Sequence, residues 1–149
     1  MDRGFFLEKC YGRNARDFLP DLGVPREMYE RVHSAKIEYY MDHLDSIVKN
    51  ENLFDLIGVF RAQGIPCALV TTASRYNTDA ILRVHGCEDL FDLVMASGDC
   101  KVPKPAPDCY LRAMEIFGVE PQECIIFEDS PAGIAAGKAS GAGVYIVQG

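Results

Sequence analysis

Two adjacent carboxylates, Glu128 and Asp129, close an apolar run in the stretch "CIIFEDSPAG". Side by side, two acids repel each other unless something positive shares the site, so the pair points to a cation or a reaction. Polar groups also follow two other apolar runs. After "IPCALV" come Thr71, Thr72, Ala73 and Ser74; after "DLVMA" come Ser97, Gly98 and Asp99, then "KVPKPAPD" with Lys101 and Lys104. Hydroxyl plus ammonium is a set that holds phosphate, the hydroxyl donating to a phosphoryl oxygen and the lysine offsetting its charge. Paired carboxylates beside a phosphate suit Mg²⁺, which takes one or two carboxylates together with waters and substrate oxygens. Each residue alone has a plainer reading. Ser74 and Ser130 fit as helix N-caps, the latter with Pro131 at the first helical position, and a loop lysine is usually solvated. Only their convergence carries the chemistry.

The elements needed to bring them together are legible in the apolar pattern. The first ~50 residues read as helix, with Met28, Val32, Ala35 and Tyr39 on one face and "DLGVP" as a connecting loop. From Glu51 the pattern changes. Leu53, Leu56, Ile57 and Phe60 make a helical stripe ending at Gly64, and "IPCALVT" follows as a strand buried on both faces. A helix with Ala80, Ile81 and Val84, a strand "DLVMA", and a helix with Tyr110, Ala113, Met114 and Phe117 come next. Then "CIIF" is a strand, Pro131 to Ser140 a small-residue helix whose Gly133 and Gly137 allow close approach to the sheet, and "GVYIV" a last strand. Strand and helix alternating with short connections predict a doubly wound, parallel α/β sheet. Such sheets bind ligands outside the carboxyl ends of their strands, where the polar groups above are found.

Composition narrows the function classes. The chain has 149 residues, is 48% hydrophobic and 25% charged, and carries a formal net charge of −7. It is globular in composition, and its acidity argues against nucleic acid or an anionic membrane surface as the main partner. No apolar run approaches the ~20 residues of a membrane span, and "MDRGFFLEKC" lacks the apolar stretch of a signal peptide. Six cysteines without a C-x-x-C spacing read as free, mostly buried thiols of a cytoplasmic protein.

These stretches resemble the haloacid dehalogenase-like (HAD) hydrolase superfamily, in its phosphatase and β-phosphoglucomutase-like branch. "LVTTAS" is similar to the family's second motif, with Thr71 at the Ser/Thr position; "KPAPD" to the third, with Lys104; and "FEDSPAGIAAGKASGAG" to the fourth, with Glu128 and Asp129 as the acidic pair. The resemblance implies a three-layer α/β/α Rossmannoid core, residues 51–149, behind part of a small helical cap, residues 1–50. It implies Mg²⁺ held by Glu128 and Asp129, phosphate held by Thr71, Thr72 and Lys104, and Thr71 and Lys104 supporting phosphoryl transfer through an aspartyl-phosphate. The implied substrate is a small phosphorylated metabolite, with neither nucleic acid nor membrane as partner.

The chain departs from that pattern at one decisive place. The family's nucleophile lies in a D-x-D-G-T motif at the end of a first strand, ahead of the cap, and no D-x-D occurs here. Asp42 and Asp45 in "YMDHLDSI" are three apart on an expected cap helix. The missing strand would lie between those ending at Thr71 and Glu128, and its absence would leave two inner sheet edges unpaired, an aggregation hazard. The expectation is therefore an internal fragment of a phosphatase, inactive alone. Two alternatives stay open: a sugar phosphomutase, and a non-catalytic remnant that binds phosphate or a partner. Mutases present a cap arginine through G-x-x-R, whereas the corresponding "GRNA" has Ala15 in fourth place, with Arg13 and Arg16 nearby. Dehalogenase chemistry and a receiver-like fold fit less well.

Overall fold

A computed structural model of the chain describes residues 3–13 and 15–147. Its front is helical. Helix α1 (Arg3–Lys9), the short α2 (Ala15–Phe18) and α3 (Tyr29–Asp42) are joined by 3-10 turns at Pro20–Leu22 and Arg26–Met28. The expected stripe on α3 is only partly right. Met28 and Val32 are half-buried, but Ala35 and Tyr39 are exposed, and His33, Ile37 and Met41 share the inner face instead. The reason is rotational: α3 rests on α5 along a narrow strip, so the pattern at 28 and 32 turns inward at 37 and 41 rather than at 35 and 39.

Behind the front, α4 (Glu51–Ala62) leads into β1 (Ala68–Val70), α5 (Arg75–Val84), β2 (Leu93–Met95), α6 (Asp108–Phe117), β3 (Ile125–Glu128), α7 (Pro131–Ser140) and β4 (Gly143–Ile146). All the pairings are parallel, as short βαβ units require. The sheet is divided, as the absence of a strand between those ending at Thr71 and Glu128 implies. Strand β1 pairs with β2, Val70 opposite Met95, and β3 pairs with β4, Glu128 opposite Ile146. No ladder joins β1 to β3, which is the place where the resemblance puts a further strand. With one partner each, β1 and β2 shorten to three residues, and β1 is half-buried rather than buried on both faces.

The core lies on the β3–β4 side. Tyr110 and Met114 of α6, Ile126 of β3 and Ala136 of α7 form one buried cluster, with Val70, Val119 and Val144 packed around it. Small residues make this possible. A Cβ on Gly137 would come within 2.9 Å of Val144 Cγ2, so only glycine lets α7 lie this close to β4. Helix α7 has the bounds read from the sequence: Ser130 caps it by accepting from Gly133 N–H at 3.0 Å, and Gly141 ends it with φ 87°. No helix of the described residues is long and apolar enough to cross a membrane. None of the six cysteines is in a disulfide; Cys10 and Cys87 are buried, and the other four are partly exposed rather than buried as expected.

Candidate functional site

Lys104 is the centre of the site. It lies on the loop between β2 and α6, is only 5% exposed, and is followed by a cis peptide bond to Pro105. Its Nζ donates to Val70 O at 3.0 Å, at the end of β1, and to Glu128 Oε1 at the end of β3. One ammonium thus spans the two sheets where no ladder does. Of its three N–H donors these contacts use two. The ring of Tyr110 lies 4.7 Å from the same nitrogen.

Glu128 is buried and densely partnered. Its Oε1 accepts from Lys104 and from the Tyr110 phenol at 2.5 Å, and its Oε2 accepts from Ser130 Oγ at 3.1 Å and Ser130 N at 3.3 Å. Burial alone would raise its pKa, but the Lys104 charge and the hydrogen bonds from Lys104, Tyr110 and Ser130 outweigh it and hold the carboxyl below its ordinary range. Burial, and then the hydrogen bond to Glu128, push the Tyr110 phenol far up, so it stays a donor. Gly133 belongs to this arrangement too. A Cβ there would lie 2.1 Å from Glu128 Cδ, so the glycine is the space the carboxylate occupies.

Asp129, the next residue, is exposed and faces the helical front. Its Oδ2 accepts from the Tyr11 phenol at 2.5 Å. That hydrogen bond, followed by burial, pushes Tyr11 up to about 12. Tyr11 reaches it because Gly12 turns the chain at φ 74° and fits against Ser130, whose Oγ would be 2.3 Å from a Cβ at Gly12. A side chain at Gly12 would be both strained and without room.

Thr71 and Thr72 follow β1. Thr71 N–H donates to Met95 O at 2.9 Å, and its hydroxyl oxygen accepts from Ala73 N–H at 3.1 Å. A cavity of about 240 Å³ is lined by Thr71, Thr72, Ser97 and Lys104, and from α2 by Arg16 and Asp17. Thr71, Thr72 and Lys104 therefore meet in one wall. Glu128 and Asp129 lie outside that wall, and Glu128 connects to it through Lys104. A larger cavity of about 450 Å³, between α4 and Cys87–Leu90, lies away from all these residues.

Other polar residues of the strand ends have structural work. Ser74 caps α5 by accepting from Asn77 N–H at 3.2 Å. Asp99 Oδ2 accepts from Arg75 at 2.6 Å and from Ala96 N–H at 2.8 Å, and Lys101 is exposed. Arg13 is engaged by Lys9 O, Asp17 O and Asp21, Ala15 is buried, and Asn14 of the "GRNA" stretch lies outside the described residues. Two tyrosines join the site from outside the motifs. Tyr110 counted only as part of an apolar stripe, although a buried phenol needs a partner for its hydroxyl. Nothing in the local sequence marks Tyr11.

Whether these groups suit Mg²⁺ is decided by donor chemistry. Glu128 and Asp129 offer hard carboxylate oxygens from adjacent residues, and among the described residues no group of three or more His, Cys, Asp or Glu could hold a metal. That set fits an ion that takes one or two carboxylates and completes its shell with water and substrate oxygens.

Comparison with known proteins identifies the family and the fold. Residues 6–147 match the haloacid dehalogenase-like hydrolase family. The protein CbbY of Rhodobacter capsulatus is 34% identical over 120 residues, covering 77% of this chain and 53% of that protein. A bifunctional riboflavin kinase/FMN phosphatase of Arabidopsis thaliana is 34% identical over 134 residues, 89% of this chain and 35% of that protein. The chain thus spans about half, or less, of these relatives' length. Among solved structures, CbbY from Rhodobacter sphaeroides in complex with phosphate superposes with a TM-score of 0.84 at 24% identity, over 99% of this chain and 71% of that one. β-Phosphoglucomutase from Clostridium difficile does so with a TM-score of 0.82 at 25% identity, over 97% and 68%. With its motifs gathered around Lys104 and the match running over almost its whole length, the chain belongs to the haloacid dehalogenase-like hydrolase family.

Proposed function

We propose that residues 51–149 carry the phosphate- and magnesium-binding part of a phosphatase acting on small phosphorylated metabolites in the cytoplasm, and that residues 1–50 are part of its cap. The observation that carries this reading is Lys104, whose ammonium touches the ends of both sheets while lining the cavity with Thr71 and Thr72. In this reading the Thr71 and Thr72 hydroxyls donate to phosphoryl oxygens, and Lys104, with a third N–H still available, offsets the charge that develops on them. Glu128 and Asp129 would hold Mg²⁺, which supplies further charge neutralisation at the phosphoryl group. Glu128 also fixes Lys104, and Tyr110 and Ser130 fix Glu128. Asp129, exposed and adjoining Tyr11, is the carboxylate more open to an ion.

The attacking aspartate is not among these residues, since no D-x-D is present. The 149-residue polypeptide should therefore release no phosphate from an aryl or sugar phosphate in the presence of Mg²⁺. Turnover that vanishes in Asp129→Ala would overturn this assignment of roles. One observation favours a phosphomutase as second reading: Arg16 lines the same cavity, where it could meet a second anionic group. Activity on a hexose 1-phosphate with a bisphosphate primer, in a chain supplied with the missing aspartate, would select it.

A further inference from the structure

Two cysteines flank the loop that carries Lys104. Cys100 ends the turn after β2, Cys109 lies in the first turn of α6, and both line the cavity that also holds Lys104, Thr71 and Thr72. Both are partly exposed and unpaired, so a small reagent entering the cavity meets two thiols. The other four cysteines differ. Cys10 and Cys87 are buried, while Cys67 and Cys124 lie outside this cavity. We propose that Cys100 and Cys109 are an oxidisable dithiol, a modification site in the cavity wall that closes as a disulfide across the Lys104 loop.

The chemistry balances with a disulfide oxidant such as glutathione disulfide. The Cys100 and Cys109 sulfurs are neighbours, and burial, then the contact with Cys100, pushes the Cys109 thiol up to about 12. One of the two, as thiolate, attacks a sulfur of the oxidant. Its S–S bond to one glutathione forms as the oxidant's S–S bond breaks and glutathione thiolate leaves. The other cavity sulfur next attacks the first, loses its proton, and displaces the second glutathione. Two thiols lose two electrons and two protons, and one disulfide oxidant becomes two glutathione thiols.

The test treats the reduced, full 149-residue chain with glutathione disulfide, blocks the remaining thiols by alkylation, and maps the peptides by mass. The expected product has lost the mass of two hydrogens and carries one cross-link, Cys100 to Cys109, reversed by dithiothreitol. In Cys109→Ser the mixed disulfide should remain on Cys100, and in Cys100→Ser on Cys109, with no cross-link in either. Full alkylation of both thiols after the oxidant, or a cross-link mapping to another pair, would overturn the proposal. Inorganic phosphate binding, read on the same samples, separates this inference from the functional reading on which its consequence rests. If the disulfide forms and the reduced chain binds no phosphate, the dithiol stands and the phosphate reading of the cavity falls.

Discussion

The two βαβ units of this chain are held together by different means. In β3–α7–β4 the fit is by close packing: Ala136 is wholly buried, Gly137 lies against Val144, and Gly133 makes room for Glu128. In β1–α5–β2 polar ties do more of the work, although its strands are no more exposed than β4. Arg61 donates to Asp92 Oδ1 at 2.9 Å while Asp92 Oδ2 accepts from Cys67 N–H at 2.8 Å, and Arg75 joins Asp99 and Val94 O. The difference teaches that the site has a rigid wall, carrying the acidic pair, and a softer one, carrying the threonines. Lys104 links them.

The largest effect should come from the packed wall. Gly133→Ala places a methyl where the Glu128 carboxyl sits, and Glu128→Leu strands the buried Lys104 charge. Glu128→Leu is expected to lower the unfolding free energy by about 3–5 kcal/mol in urea titrations, as loss of one partner of a buried ion pair does, and Gly133→Ala by about 1–3 kcal/mol, as overpacking does. A comparable loss from a change in the polar unit would erase the contrast between the two walls.

Acid should reveal the same wall. The Glu128 carboxyl is held below its ordinary value of 4.5, so its contribution is complete above that value and is lost as the pH falls through its lowered folded pKa. The urea midpoint should therefore decline below about pH 4.5 in the intact chain, and the decline should be shallower in Lys104→Met, which removes the main stabilising charge.

In the softer unit, Asp92→Asn leaves Arg61 without its ion pair and weakens the tie to Cys67 N–H. The side chains are partly exposed, so about 1 kcal/mol is expected from the same titration. The smallest effect belongs to the front. Tyr11→Phe should change stability by less than about 1 kcal/mol, but the Tyr11 phenol itself should titrate at about 12. Absorbance difference titration between the intact chain and Tyr11→Phe isolates it, and Asp129→Asn should bring it back towards its ordinary value of 10.0.

The packed unit was also the more legible one. "DSPAGIAAGKASG" states its own helix: a Ser-Pro start, a glycine stop, and glycines one turn apart on the face that meets the sheet. Lys104, Thr71 and Thr72 converge as their positions at strand ends predict. What local pattern could not supply was pairing across distance. The gap between β1 and β3 follows from the absent strand, whereas the phenols of Tyr110 and Tyr11 reach Glu128 and Asp129 from 18 and 118 residues away. The helical front is legible in the sequence, but its buried face is not, because contact with α5 covers only a strip of α3.

The central claim is that Thr71 and Lys104 make a phosphate site coupled to the acidic pair. It is tested most directly by titrating inorganic phosphate into the 149-residue chain by calorimetry, with and without Mg²⁺, alongside Thr71→Val and Asp129→Asn. The prediction is saturable binding that Mg²⁺ tightens, weakened in Thr71→Val at either condition and made insensitive to Mg²⁺ in Asp129→Asn. Phosphate binding that is absent, or equal in all three proteins, would contradict it.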